Sequence, residues 1–237
     1  MNVYILKITT PIKINSSSLI QYVSKEKREK VENFFKEDDK LRSIYGELLI
    51  RYILINELKI NNSDIKFHYT KYGKPLLLEP HNIHFNISHC EKYVVCAIDN
   101  NPVGIDIEKI ETIDFIDIAN KFFTKDESNY IYPQNEMNTL EESTNKFYEV
   151  WTLKESFIKC IGLGLSLPLN SFSVNFNKNE NNKRISFKGD TYFFEHFAIE
   201  NEYKLSICFK NHDTSIHINH INEYELTYKF TNNLKNK

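Results

Sequence analysis

The chain has 237 residues, 41% of them hydrophobic, with a mean hydropathy of −0.47; this allows one large domain or two of roughly 100–120 residues with a substantial core. A formal net charge of −2 excludes a global basic field for nucleic acid, so an anionic ligand must meet a local cluster of cations. The apolar runs fall well short of the roughly 20 residues a membrane-spanning helix needs, and the start Met1-Asn2-Val3-Tyr4-Ile5-Leu6-Lys7 lacks a signal-peptide pattern, so a cytoplasmic protein without membrane association is expected.

In chain order, residues 2–8 read as a strand. A serine cluster at Ser16 to Ser18 precedes a charged helical stretch, Lys25-Glu26-Lys27-Arg28-Glu29-Lys30. The clearest helix follows. Asp38 or Asp39 is placed to cap it, Leu41, Ile44, Tyr45, Leu48, Leu49, Tyr52 and Ile53 recur at three-and-four spacing, and Asn61-Asn62 is expected to stop it. Tyr72-Gly73-Lys74-Pro75 reads as a turn. Strands are expected over 84–88, 93–99 and 103–108, with Asn100-Asn101-Pro102 linking the last two. Residues 113–123 and 124–132 look helical, 133–145 read as a polar loop, and 146–161 form a second strong helix ending at Gly162. Strands follow over 172–176, 192–198 and 203–209, with an Asn/Lys-rich hairpin loop over 177–184 and a frayed tail from Thr231. The pattern is α+β rather than a regular βαβ alternation, with a boundary near Asn100 to Val103. The four cysteines, Cys90, Cys96, Cys160 and Cys208, form no C-x-x-C pair and read as free thiols.

Two segments carry the candidate chemistry. In Gly104-Ile105-Asp106-Ile107-Glu108, Asp106 and Glu108 are two apart and share a strand face, while Ile105 and Ile107 point the other way. Two such carboxylates repel unless a cation sits between them, and Mg²⁺ suits them because it keeps places for water and substrate phosphate; the plainer reading is an exposed polar face. In Trp151-Thr152-Leu153-Lys154-Glu155-Ser156-Phe157-Ile158-Lys159, Glu155 and Lys159 share a helix face with Trp151 one turn before them. The plainer reading there is a surface ion pair and a core tryptophan. His89, ending a strand after Ser88, offers an imidazole to a phosphate, and Lys27, Arg28 and Lys30 offer cations, though a mixed-charge helix is usually a solvated face.

Taken together these segments resemble a 4′-phosphopantetheinyl transferase of the surfactin-synthetase-activating type. The resemblance covers about residues 24–209. It rests on Tyr72-Gly73-Lys74-Pro75, His84-Phe85-Asn86-Ile87-Ser88-His89, Val103-Gly104-Ile105-Asp106-Ile107-Glu108, Phe122-Phe123-Thr124, and the 151–159 segment running into Gly162-Leu163-Gly164-Leu165-Ser166-Leu167-Pro168-Leu169. It implies two similar α+β halves in a pseudo-two-fold arrangement with coenzyme A in the cleft between them: residues 1–102 with the nucleotide contacts, 103–225 with the metal and catalytic residues, and a tail over 226–237. Family members move the phosphopantetheine arm of coenzyme A to a serine of an apo peptidyl or acyl carrier protein and release adenosine 3′,5′-bisphosphate.

By this resemblance Asp106, Glu108 and Glu155 would hold Mg²⁺, with Mn²⁺ the alternative. Glu155, or a water it positions on the metal, would act as base, and Lys159, less firmly Lys154, would pair with the pyrophosphate. Lys27, Lys30, Lys74, Ser43, Ser88, His89 and Arg42 would contact coenzyme A. Leu163, Leu165 and Phe172 are candidates for the carrier-protein face, with packing as the competing role. Cys90, Ser43 and Leu163 stand where relatives often have serine, threonine and lysine; the last bears on which carriers are accepted. Members of this length are generally monomers, and nonribosomal peptide or polyketide carriers are favoured over a dedicated fatty-acid role. The competing functions are another Mg²⁺-dependent phosphodiester-cleaving enzyme and a non-catalytic module that binds coenzyme A or carrier proteins.

Overall fold

The computed structural model describes residues 1–9, 16–133, 138–176, 183–212 and 214–233. In chain order the elements are β1 (Asn2–Lys7), α1 (Ser16–Leu19), α2 (Lys25–Glu32), α3 (Glu37–Glu57), β2 (Phe67–Tyr69), β3 (Pro75–Leu77), β4 (His84–Cys90), β5 (Tyr93–Asp99), β6 (Val103–Lys109), α4 (Ile116–Phe122), α5 (Lys125–Ile131), α6 (Leu140–Ile161), β7 (Lys183–Phe187), β8 (Asp190–Ile199), β9 (Tyr203–Phe209), β10 (His217–Ile221) and α7 (Glu223–Asn233), with short 3₁₀ turns between some of them. The class is α+β, and the chain divides into two compact units.

The first unit comprises residues 1–69, 75–100 and 215–237. Its sheet has the order β10-β1-β5-β4, with β10 parallel to β1 and the other pairs antiparallel. Helix α3 packs on it because its apolar stripe is wide: Leu41, Ile44, Tyr45, Leu48, Leu49, Ile50, Ile53 and Leu54 are all buried, beside Tyr4, Leu6, Phe85 and Val94 of the sheet. The start of α3 differs from expectation. Asp38 and Asp39, with Glu37, lie inside the first turn, where they favour the positive end of the helix, while Lys36 stands at the cap without a side-chain bond.

The C-terminal segment also differs. The expected second half over 103–225 is cut short, because residues 217–221 form an outer strand of the first sheet, and within the expected tail over 226–237 the described residues continue α7. Leu226 and Phe230 of α7 are fully buried in the first unit's core.

The second unit comprises residues 70–74 and 101–214. Its antiparallel sheet runs β6-β9-β8-β7, and α6 lies along β6 and β9. Helix α6 begins at Leu140, within the expected loop. Thr139 and Glu142 form a reciprocal capping box, which satisfies two orphan donors and sets the start; residues 134–137 of that loop lie outside the described residues. The expected strand over 172–176 is absent, and the strand at Lys183–Phe187 begins inside the expected hairpin loop; residues 177–182 of that loop lie outside the described residues.

Candidate active site

The site is built where β6 meets α6, and Gly104 permits that meeting. A Cβ at Gly104 would lie 2.0 Å from the Ser156 carbonyl oxygen and 2.4 Å from the Cys160 backbone nitrogen, so only glycine lets the helix come this close. Asp106 and Glu108 follow on the same strand face. Across the sheet Asp106 is in register with Ser206, and the buried Ser206 hydroxyl meets Thr152 of α6 at 2.7 Å. These two contacts fix the helix over the strand on either side of the turn that carries Glu155.

The result is a cluster of opposite charges. Lys159 Nζ donates to Asp106 Oδ1 at 2.5 Å, with Asp106 itself only 2% exposed. The Glu155 carboxyl is raised above the usual carboxylate range, first by burial and then by the charge of Asp106, with Lys159 opposing. Asp106, Glu155 and Lys159 are thus brought together, and Glu108, partly buried, follows on the strand. Among the described residues no three His, Cys, Asp or Glu side chains converge closely enough to enclose a metal ion; the Lys159 ammonium supplies the positive charge at Asp106. The donor set still suits a hard divalent cation, because it consists of carboxylate oxygens whose mutual repulsion such an ion would relieve.

Lys154 is turned elsewhere. It is fully buried and donates to Glu127 Oε1 at 2.6 Å, Glu127 Oε2 at 2.7 Å and the Phe172 carbonyl at 2.8 Å. All three of its donors are used, so it has none for a pyrophosphate. Glu127, equally buried, also accepts from the Thr124 and Val174 amides. The sequence reading missed Glu127. Its signal was the Thr124-Lys125-Asp126-Glu127 capping-box pattern, which the structure forms at the start of α5. Trp151 is a packing residue between Phe123 and Phe147.

Of the carrier-face candidates, Phe172 is corrected to core: it is 8% exposed, 4.9 Å from the Phe157 ring and 4.3 Å below the Lys154 ammonium. Leu165, on the 3₁₀ turn after Gly162, is 78% exposed, and Leu163 is partly exposed.

The residues expected at coenzyme A's nucleotide end lie mostly on the first unit. Lys27 Nζ donates to Ser43 Oγ at 3.2 Å. Burial lowers the Lys27 pKa, Glu47 opposes, and the neighbouring charge of Lys30 adds to the lowering, so Lys27, Lys30 and Ser43 form one local group. Arg42 pairs with Asp39 and donates to the Glu91 carbonyl in the β4–β5 turn, just past His89 and Cys90. Ser88 is buried and His89 exposed, on opposite faces of β4. Lys74 belongs to the second unit, and its ammonium meets three backbone carbonyls.

Comparison with known proteins agrees with this division. A family model described as 4′-phosphopantetheinyl transferase superfamily matches residues 102–208, and one described as 4′-phosphopantetheinyl transferase, N-terminal, matches residues 10–101. The chain is 34% identical over 210 residues to the 4′-phosphopantetheinyl transferase Sfp of Bacillus subtilis, covering 88% of this chain and 92% of that protein. It is 35% identical over 213 residues to the transferase ffp of Bacillus subtilis, with the same coverage. It is 48% identical over 158 residues to the transferase gsp of Aneurinibacillus migulanus, covering 67% of this chain and 64% of that protein. With both halves matched and the charged cluster of β6 and α6 in place, the chain belongs to the 4′-phosphopantetheinyl transferase superfamily.

Proposed function

We propose that the chain transfers the 4′-phosphopantetheine arm of coenzyme A to a serine of apo peptidyl or acyl carrier proteins, with adenosine 3′,5′-bisphosphate as the by-product. The observation that carries this reading is the Asp106–Lys159–Glu155 cluster, held on β6 and α6 by the close approach at Gly104. Asp106, Glu108 and Glu155 would hold Mg²⁺, which, when bound, neutralises charge on the pyrophosphate and orients the attacked phosphorus.

Glu155 takes the proton of the carrier serine as its oxygen attacks the phosphorus that bears the pantetheine arm. The serine oxygen–phosphorus bond forms, the bridging phosphorus–oxygen bond breaks, and the negative charge leaves on adenosine 3′,5′-bisphosphate. Lys159, already aimed into the cluster, pairs with a pyrophosphate oxygen as that charge grows. Lys27, Lys30, Ser43, Ser88 and His89 serve the nucleotide end, where lysines act as point-charge partners of phosphate. Leu165 supplies an exposed apolar contact for the carrier protein.

The same reading takes the chain as a cytoplasmic monomer that acts on the carriers of nonribosomal peptide and polyketide synthesis first; no helix among the described residues is long and apolar enough to cross a membrane. The test is intact-protein mass spectrometry of an apo peptidyl carrier protein incubated with the enzyme, coenzyme A and Mg²⁺, with and without chelator. Gain of one phosphopantetheine arm that chelator abolishes is expected. Binding of coenzyme A without any gain on peptidyl or acyl carriers would overturn the reading.

A further inference from the structure

The last turn of α6 carries Lys159, and what holds that turn is not in the helix. A helix ending at Ile161 leaves its final carbonyls without intrahelical partners. Gly162, at φ 71°, turns the chain away and donates to the Ile158 carbonyl at 3.0 Å, which still leaves the carbonyls of Lys159 and Cys160. Both are met by one cation. Lys74 Nζ donates to the Lys159 carbonyl at 2.6 Å, the Cys160 carbonyl at 3.0 Å and the Val103 carbonyl at 3.2 Å. An ammonium has three donors, and all three are used. The third acceptor matters most for the site, because Val103 directly precedes Gly104 on β6. One ammonium therefore fastens the end of α6 to the start of the strand that bears Asp106. Its own backbone is fixed: Lys74 N donates to Thr70 Oγ1 at 3.1 Å, its carbonyl accepts from Thr70 N at 2.9 Å, and Gly73, at φ +82°, closes the turn by donating to the Thr70 carbonyl.

We propose that Lys74 is a positioning residue of the transfer reaction, capping the C-terminus of α6 and holding it against β6 so that Lys159 and Glu155 meet Asp106 in register. Its side chain works on the protein's carbonyls and not on a phosphate of coenzyme A. A cation at a helix C-terminus is favoured by the dipole as well as by the hydrogen bonds. The inference rests on the transferase reading for its kinetic consequence, while the cap can be tested without turnover.

The experiment compares Lys74→Met and Lys74→Arg with the wild type in three readouts: kcat for transfer to an apo carrier protein, coenzyme A affinity by calorimetry, and amide hydrogen exchange over residues 158–163. Lys74→Met keeps the aliphatic stem and removes the donors. Its kcat is expected to fall at least about tenfold, because misplacing a reacting group by an ångström is costly, with coenzyme A affinity within about twofold of wild type and exchange over residues 158–163 about tenfold faster. Arginine keeps the charge, but its planar fork cannot match three convergent carbonyls. Lys74→Arg should therefore also lose kcat without losing affinity, and it decides the matter alone if Lys74→Met does not fold. A tenfold loss of coenzyme A affinity in Lys74→Met that arginine restores, with exchange unchanged, would assign the ammonium to the nucleotide and overturn the proposal, as would variants that match wild type in all three readouts. Should the wild type transfer nothing to any carrier, the function fails, yet the exchange comparison still judges the cap.

Discussion

A missing methyl group at Gly104 decides whether the site can exist. The atoms that a Cβ would strike, the Ser156 carbonyl oxygen and the Cys160 nitrogen, are backbone, so no rotamer change can relieve the clash and the helix itself must move. Gly104→Ala is expected to cost about 1–3 kcal/mol or more, as overpacking does, and to depress transfer more than coenzyme A binding. Thermal denaturation and mass-spectrometric transfer assays check both, and a variant with wild-type melting would show that α6 can shift freely. Glu155→Gln makes the opposite separation. The fold should persist while transfer falls by about 10²–10⁴-fold, the usual span of a general base; wild-type-like turnover would remove Glu155 from the mechanism. The meeting of Asp106 with Glu155 and Lys159 was implied by the family resemblance, whereas the faces shared by Asp106 and Glu108 and by Glu155 and Lys159 were legible from spacings of two on a strand and four on a helix. Lys74 and Lys154 were not. Both looked like phosphate ligands by type, and both spend their donors on partners far away in sequence. A lysine's chemistry names what it can meet, and only the fold names what it does meet.

At the scale of elements, the buried Lys154–Glu127 pair joins α6, α5 and the segment at Phe172–Val174. It explains why the 172–176 stretch is not a strand despite its alternating Phe172, Val174 and Phe176. The Phe172 carbonyl and the Val174 amide, which a neighbouring strand would have taken, are claimed by the two charged side chains. Both partners are 0% exposed, so the sign of a mutation depends on which charge is left behind. Lys154→Met strands the Glu127 carboxylate and is expected to cost about 3–5 kcal/mol, whereas Lys154→Met with Glu127→Leu removes both charges and should recover much of that. Urea denaturation of the two variants checks the order, and a double variant no more stable than the single one would deny the pair its part. The first turns of α6 were illegible for a related reason: Glu141, Glu142, Ser143, Thr144 and Asn145 read as loop by polarity, while the Thr139–Glu142 capping box and burial of Ser143, Thr144 and Phe147 make them helix. The later turns, and α3, announced themselves by apolar periodicity alone.

At the scale of the whole molecule, the two units share a plan that their sequences conceal. In each, a first strand leads to a long helix and then to a hairpin whose last strand pairs with the first, giving the orders β1-β5-β4 and β6-β9-β8. The repeat lies in hydrogen-bond topology, which residue identity need not preserve, so reading by eye shows two α+β halves and no repeat. The C-terminal segment was the larger omission. Leu226 and Phe230 are the buried apolar side chains among the described residues of α7, too thin a stripe to stand out among Tyr224, Glu225, Thr227 and Tyr228. Yet both are fully buried, and Glu223 accepts from the Thr9 amide at 2.7 Å, the Thr9 hydroxyl at 2.8 Å and the buried Tyr45 hydroxyl at 2.8 Å. Ending the chain at Asn222 would expose two large apolar sites in the core, worth about 1.5–3 kcal/mol each, and leave Tyr45 without its acceptor at about 1–3 kcal/mol more. Together these come to about 4–9 kcal/mol, a large share of a typical total of about 5–15 kcal/mol, so the first unit of the shortened chain is expected to melt well below the full chain and to open readily to protease. Circular dichroism and limited proteolysis of the shortened chain should find the 1–69 and 75–100 regions cleaved while the 70–74 and 101–214 regions resist. A shortened chain that melts like the full one would mean that the first unit's core closes without α7. Phe230→Ala supplies the graded form of the same test, with an expected loss of about 3–5 kcal/mol; because Leu226 and Glu223 stay in place, the loss there should be smaller than in the shortened chain, and an equal loss would mean that Leu226 and the Glu223 bonds add nothing to the packing.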